Sequence, residues 1–420
     1  MKHIVEFFDE NIVQSALWDF YFKDMRVGVL DIETTGLDRN RNKFILGGLY
    51  NSATRELHQV LAENRPEERQ ALEEFANEMS QVDMVVTYNG RHFDMPFIER
   101  RWQLAKGPRR GETAGRMTSS ETGSSILSDA GSKVSAGTGA NLVMPYNLDL
   151  YLVLSGHSPI KKLVPNMRQK TIENYMGFWD KRSDEISGAE SVELYNHYEA
   201  TGDQNAEEKI LLHNNDDIRQ LTRLTATITK SDFHKAMFCL GFPVGPFTVQ
   251  KIRLQRDYLQ VSGMQRPGAR GLEEGALDYR GFIFRDQPVE SMFQRTDQRP
   301  QGGREGWFEL QIPIIRDRGL AIADLQAFGL QHSSGGSSDG TSGESSDVTS
   351  GGPSDVTAGR SSADPTTDAQ AEDPFGIYPR SESGFLVLGD AQGISHMETN
   401  HFVKSFLGKF AEEELNIPGC

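Results

Sequence analysis

Apolar and polar positions divide the first half of the chain into short pieces with distinct periods. Val27-Gly28-Val29-Leu30 is an apolar run that passes through Asp31-Ile32-Glu33 into a Thr34-Thr35-Gly36 turn, and it reads as a buried strand. Phe44–Tyr50 predicts a second strand and Glu56–Leu61 a third, in an antiparallel meander. Pro66 suits the first turn of a helix, with Glu67 and Glu68 at its positive end and Leu72, Phe75 and Met79 at helical spacing. Val82–Thr87 predicts another short strand, followed by a polar turn to Asp94 and a helix through Trp102. Order resumes at Pro145–Leu154, and short helices are predicted over Lys170–Phe178 and Ser191–Glu199. A longer helix over Ala206–Thr229 buries Ile218, Leu221, Leu224 and Ile228.

Two stretches lack any period. Residues 107–141 are rich in Gly, Ser, Thr and Ala, and 331–375 in Ser, Gly, Asp and Thr, so both are expected to be disordered insertions. After Lys230 the apolar patches Gly281–Phe284, Trp307–Ile312 and Gly384–Leu388 predict strands, and Met397–Glu414 a closing helix. The expected organisation is a packing lead-in over 1–23, an α/β domain over 24–229, and a smaller α+β accessory region, rich in strands, over 230–420.

Length and composition narrow the class. A chain of 420 residues has room for two domains, and 23 Phe within a 37% hydrophobic fraction can build a core. No apolar run reaches the length of a membrane span, and the start at Met1–Glu6 turns acidic at once, without a signal-peptide core. Two cysteines, Cys239 and Cys420, provide neither a disulfide framework nor a cysteine zinc site. Cytoplasmic residence without membrane contact is the expectation. A net charge of −16 argues against coating nucleic acid through a broad basic field. Part of it is local, because 331–375 holds eight acids and one base, Arg360. A site that brings its own metal ions still suits a phosphodiester.

The candidate chemistry is acidic. On a strand Asp31 and Glu33 point to the same side. Two carboxylates at the end of a buried strand are costly without a positive partner, and a hard divalent ion such as Mg²⁺ is the simplest one. Asp94 follows a strand at a helix start, where it also suits an ordinary N-cap ahead of Pro96. His213 and Asp217 stand four apart on one helix face, while Asp216 is turned away by about 100°. Asp149, beside a strand, is assigned a structural role. Taken singly, each motif is equally a hydrated strand end or a solvated helix face.

Together, Asp31-Ile-Glu33, Asn89-Gly-Arg-His-Phe-Asp94 and His213-Asn-Asn-Asp-Asp217 resemble the ordered signature of the DEDD 3′→5′ exonuclease superfamily. Lys170-Thr-Ile-Glu173, Asp184–Gly188, Tyr195 and Tyr198 narrow the resemblance to the YprB-type RNase H-like domain, over about residues 24–229. The resemblance implies an RNase H-like mixed sheet of about five strands flanked by helices. It implies two divalent ions, Mg²⁺ or Mn²⁺, roughly 3.5–4 Å apart, held by Asp31, Glu33, Asp94 and Asp217. His213 would orient or deprotonate the attacking water. Thr34, Leu37 and Asn89 match positions that hold the terminal nucleotides of a single-stranded 3′ end of DNA or RNA. The three-residue spacing between His213 and Asp217 departs from the histidine-type members, which have four, and leaves Asp216 as the rival fourth ligand. An endonuclease of ribonuclease H type fits the D-x-E pair less well. The alternative from another class is a catalytically silent nucleic-acid-binding or scaffolding protein on the same fold.

Overall fold

The computed structural model describes residues 1–106, 142–178, 183, 186–265, 282–283, 294–295, 307–330 and 384–415. Both expected insertions lie outside the described residues. The first half is a mixed six-stranded sheet. Its strands are β1 (Lys2–Phe7), β2 (Val27–Thr34), β3 (Phe44–Asn51), β4 (Glu56–Leu61), β5 (Met84–Thr87) and β6 (Tyr146–Asp149). Their order across the sheet is β1-β4-β3-β2-β5-β6. The β2-β3-β4 meander is antiparallel, as is the β1–β4 pair, whereas β5 and β6 run parallel to β2.

Seven helices accompany this sheet: α1 (Ala16–Phe22), α2 (Glu68–Met79), α3 (Asp94–Lys106), α4 (Leu150–His157), α5 (Gln169–Tyr175), α6 (Gly188–Thr201) and α7 (Gln204–Leu224). The fold is an α/β, RNase H-like arrangement with one strand more than the expected five. The additional strand, β1, comes from the N-terminal lead-in. Val5 and Phe7 remain 49% and 68% exposed on this edge strand, so it carries no clean inward-apolar alternation to read.

Burial explains why β2 is central. Every residue of the strand except Asp31 is buried, because helices cover both sheet faces. Leu30 and Ile32 join Leu72, Phe75 and Ile98 of α2 and α3 in one core. Val27 and Val29 join Ile218 and Leu221 of α7 in the other.

The rest of the chain is smaller and β-rich. α8 (Phe233–Leu240) leads into β7 (Phe242–Val244), β8 (Phe247–Leu254), β9 (Tyr258–Gln265), β10 (Phe282–Ile283), β11 (Gln294–Arg295) and β12 (Trp307–Pro313), which form a second six-stranded sheet. β13 (Ile315–Asp317), β14 (Leu320–Asp324), β15 (Phe385–Asp390) and β16 (Gly393–Ile394) form an antiparallel third sheet, and α9 (His396–Leu415) closes the described chain. Phe402 and Phe406 of α9 share the large core with Trp18, Tyr21 and Phe247. Asn400 donates to the Tyr21 hydroxyl at 2.8 Å and to the His234 carbonyl at 2.7 Å, which ties α9 to α1 and α8. No helix among the described residues is long and apolar enough to cross a membrane.

Candidate active site

The period of two places the first pair of acids. Asp31 and Glu33 are in phase with Val29, so they leave the sheet on the side covered by α7. Helix α7 comes unusually close there because Gly48 lies opposite Asp31 in the β2–β3 register. A Cβ on Gly48 would sit 2.1 Å from Asn214 Oδ1 and 2.4 Å from Ile218 Cδ1, so a side chain there forces the helix away. Asn214 uses this closeness. Its Nδ2 donates to Asp31 Oδ2 at 3.0 Å and to the Asp31 carbonyl at 3.2 Å. Gln59 Nε2 donates to Asn214 Oδ1 at 3.0 Å and to the Leu211 carbonyl at 2.9 Å, fixing the amide.

One turn of the same helix supplies the next groups. His213, 3% exposed, holds Nε2 at 3.6 Å from Glu33 Oε1 and 3.6 Å from Asp217 Oδ2. Ser191 of α6 donates to Glu33 Oε2 at 3.0 Å. A ligand atom from each of Glu33, His213 and Asp217 lies within 4.8 Å of the other two. Asp94 closes the cluster from the start of α3, where its Oδ1 accepts the Ile32 N–H at 3.3 Å.

The electrostatics are those of acids forced together. Desolvation raises the Asp31 pKa well above the carboxylate range, and Asp217, Asp94 and Glu33 push it further, against the Asn214 hydrogen bond. Asp94 is raised to about 7, chiefly by burial; backbone hydrogen bonds oppose the shift, and the charges of Asp149 and Glu33 add to it. Carboxylate oxygens crowded around one imidazole nitrogen match the donor set that a divalent cation needs. The residues therefore fit a metal ion.

Except for Asp94, which lies behind the lining, these acids and His213 face an open cleft of about 780 Å³. Asp31, Glu33, His213 and Asp217 line it, and Thr34 and Leu37 form one side, with Leu37 84% exposed. The Thr34 hydroxyl donates to the Gly36 carbonyl at 2.9 Å, which keeps the turn after β2 folded back on itself. Arg168, Lys170 and Asn174 also line it. Sequence reasoning missed them as site residues; the basic pair flanking Gln169, just before the Lys170-Thr-Ile-Glu173 motif, was the available signal. Gln169 Nε2 donates to the Asp217 carbonyl at 3.0 Å and couples α5 to α7.

Other expected positions lie apart. Asn89 is exposed, has φ +65°, and is not part of the cleft lining. Its N–H donates to Asp149 Oδ1 at 2.9 Å, and the Arg91 N–H donates to Asp149 Oδ2 at 3.0 Å. Asp149 also caps α4 by accepting the Leu152 N–H, so the buried side chain is committed to holding the backbone of this turn. Asp216 accepts the Ser183 N–H and is turned out of the cleft, while Asp217 faces into it.

One family model agrees with this architecture. Residues 29–229 match a family model described as RNase H superfamily. No curated protein matches the chain. Among solved structures, the chain is similar to the family B DNA polymerase from the hyperthermophilic archaeon Pyrobaculum calidifontis, at 20% identity and a TM-score of 0.33. That match covers 49% of this chain and 24% of the polymerase, so the chain spans about a quarter of its relative's length.

Proposed function

We propose that the protein is a metal-dependent 3′→5′ exonuclease of DNA or RNA, of the DEDD type and close to the YprB-type domains. The observation that carries this reading is the gathering of Asp31, Glu33 and Asp217, with His213, in the lining of one open cleft, with the buried Asp94 close enough to Asp31 and Glu33 for their charges to act on one another. Asp31, Glu33, Asp94 and Asp217 would hold two divalent ions, Mg²⁺ or Mn²⁺. Such ions, when bound, supply charge neutralisation at the phosphodiester and lower the pKa of the attacking water.

The chain's own groups have the following roles in this reading. His213 Nε2 accepts a proton from the water, and the flanking carboxylates of Glu33 and Asp217 stabilise the imidazolium that results. Ser191 and Asn214 hold Glu33 and Asp31 in position through the bonds at 3.0 Å. Thr34 and the exposed Leu37 offer a rim on which the terminal nucleotide rests. Arg168 and Lys170, which line the cleft, would supply positive charge to the phosphates, with Lys170 Nζ also donating to the Ile186 carbonyl at 2.7 Å. Contact with Asn89 applies to a strand that runs past the cleft along the turn before α3.

A panel of labelled single- and double-stranded DNA and RNA, linear and circular, with Mn²⁺ or Mg²⁺, tests the reading. The expected outcome is stepwise release of mononucleotides from linear 3′ ends with closed circles left intact. Cleavage of circles would replace it with the endonuclease reading. Binding without turnover under every metal condition would replace it with the scaffolding one.

A further inference from the structure

A second group of metal-ligating side chains lies at the opposite end of the sheet order, on the β1–β4 edge, and plays no part in the cleft. In the antiparallel register His3 pairs with Val60 and His58 with Val5, which puts the two histidines diagonally on one sheet face. Helix α2 runs over this face and presents Glu74 and Glu78. His3 Nε2 is 3.2 Å from His58 Nδ1, His58 Nδ1 is 3.1 Å from Glu78 Oε2, and His3 Nε2 is 3.9 Å from Glu78 Oε1. The outer nitrogens face carboxylates as well. His3 Nδ1 is 2.9 Å from Glu74 Oε1, and His58 Nε2 is 3.7 Å from Glu56 Oε2.

We propose that His3, His58 and Glu78 form a binding site for a divalent transition-metal ion of the zinc type, oriented by Glu74 and Glu56. With a proton on His3 Nδ1 donated to Glu74 and one on His58 Nε2 turned toward Glu56, His3 Nε2 and His58 Nδ1 are left as lone pairs facing one another and Glu78. In those tautomers no proton lies between the two lone pairs and the Glu78 carboxylate, so hydrogen bonding alone leaves them unmatched. A metal satisfies all three. Bonds of about 2.0–2.1 Å in a tetrahedron place ligand atoms roughly 3.3–3.4 Å apart, close to the separations found here. A carboxylate behind each imidazole is the usual outer partner of a histidine ligand. Two imidazoles beside a single carboxylate also favour zinc-type ions over Mg²⁺, so the site selects a different ion from the carboxylate-rich cleft. The bound ion would pin the edge strand β1 to β4 and α2. This inference does not rest on nuclease activity.

Zinc titration of the EDTA-stripped full chain carrying Glu33→Ala and Asp217→Ala, which remove two of the four carboxylate ligands proposed for the cleft, tests it. One equivalent of Zn²⁺ is expected, with a rise in Tm on binding. Adding His58→Ala should abolish that equivalent, and Glu74→Gln should weaken it by about 10–100-fold. If the cleft variant does not fold, the parent chain is used, and His58→Ala should bind one equivalent fewer. If His58→Ala does not fold, Glu78→Gln on the surface of α2 makes the same comparison. Zinc stoichiometry and affinity unchanged by His58→Ala or Glu78→Gln would overturn the proposal, as would a parent chain that binds no zinc.

Discussion

Glu68 and Asp31 are acids of the same domain whose surroundings treat charge in opposite ways. Glu68, at the start of α2, is 5% exposed, yet its charge is fully matched. Arg101 donates to it through Nε at 2.6 Å and Nη2 at 2.7 Å, Lys43 Nζ at 2.8 Å and the Phe44 N–H at 3.0 Å. Burial alone would raise its pKa, but these donors outweigh burial and hold it below the usual glutamate value. Burial drives the Asp31 pKa up as well, and there the neighbouring charges of Asp217, Asp94 and Glu33 add to burial instead of opposing it. The contrast separates two purposes. A structural carboxylate carries its cations with it, whereas a cluster left rich in negative charge is shaped for a cation that arrives from outside.

The sharpest way to break this comparison is at α7. Asp217→Asn should reduce metal-dependent cleavage by about 10³-fold or more, whereas Asp216→Asn, turned toward Ser183, should leave turnover near the parent's. Similar losses for both would mean that the fourth ligand is misassigned. Gly48→Ala tests the positioning of the helix. Its added methyl meets Asn214 and Ile218, so α7 must shift, and a displacement near 1 Å is expected to cost about 10²-fold in rate. Melting of the same variant should show a smaller penalty, about 1–3 kcal/mol.

On the other side of the comparison, Arg101→Ala should destabilise the fold by about 3–5 kcal/mol in urea melts, because it strands Glu68 without its main partner. Asp31→Asn should do the reverse in EDTA, raising stability by about 1 kcal/mol as repulsion is relieved. The same acids set a pH dependence. With a folded pKa raised to about 7 from 3.8, Asp94 binds its proton more tightly in the native state. Its contribution therefore favours the fold at low pH and is lost as pH rises through about 7. The metal-free Tm should fall across that window, and Mn²⁺ should restore more stability at pH 8 than at pH 6. An Asp94→Asn variant that kept the same slope would remove Asp94 as its source.

Much of this contrast is written locally in the sequence. The D-x-E pair on an apolar run, the acid at a helix start and the His/Asp pair four apart all depend on one period within one element, and each falls on the cleft side or beside it. The β2-β3-β4 meander is legible for the same reason. What was not legible depends on residues far apart in the chain. Gly48 matters only because Asn214 packs on it, and Gln59 matters only because it fixes Asn214 across the sheet. Strand β1 is hidden because its outer residues are exposed. In β9 the alternation is masked because Gly263 and Gln265 occupy inward positions alongside Leu259 and Val261. His3 and His58 are 55 residues apart, and the antiparallel register alone brings them together.

The most direct test follows a 5′-labelled single strand in Mn²⁺ over time, with the parent protein and with the Asp31→Ala/Glu33→Ala double variant. The account predicts a ladder of progressively shortened products from the parent and intact substrate from the variant, whose folding is checked by circular dichroism. Equal degradation by the two proteins would contradict it.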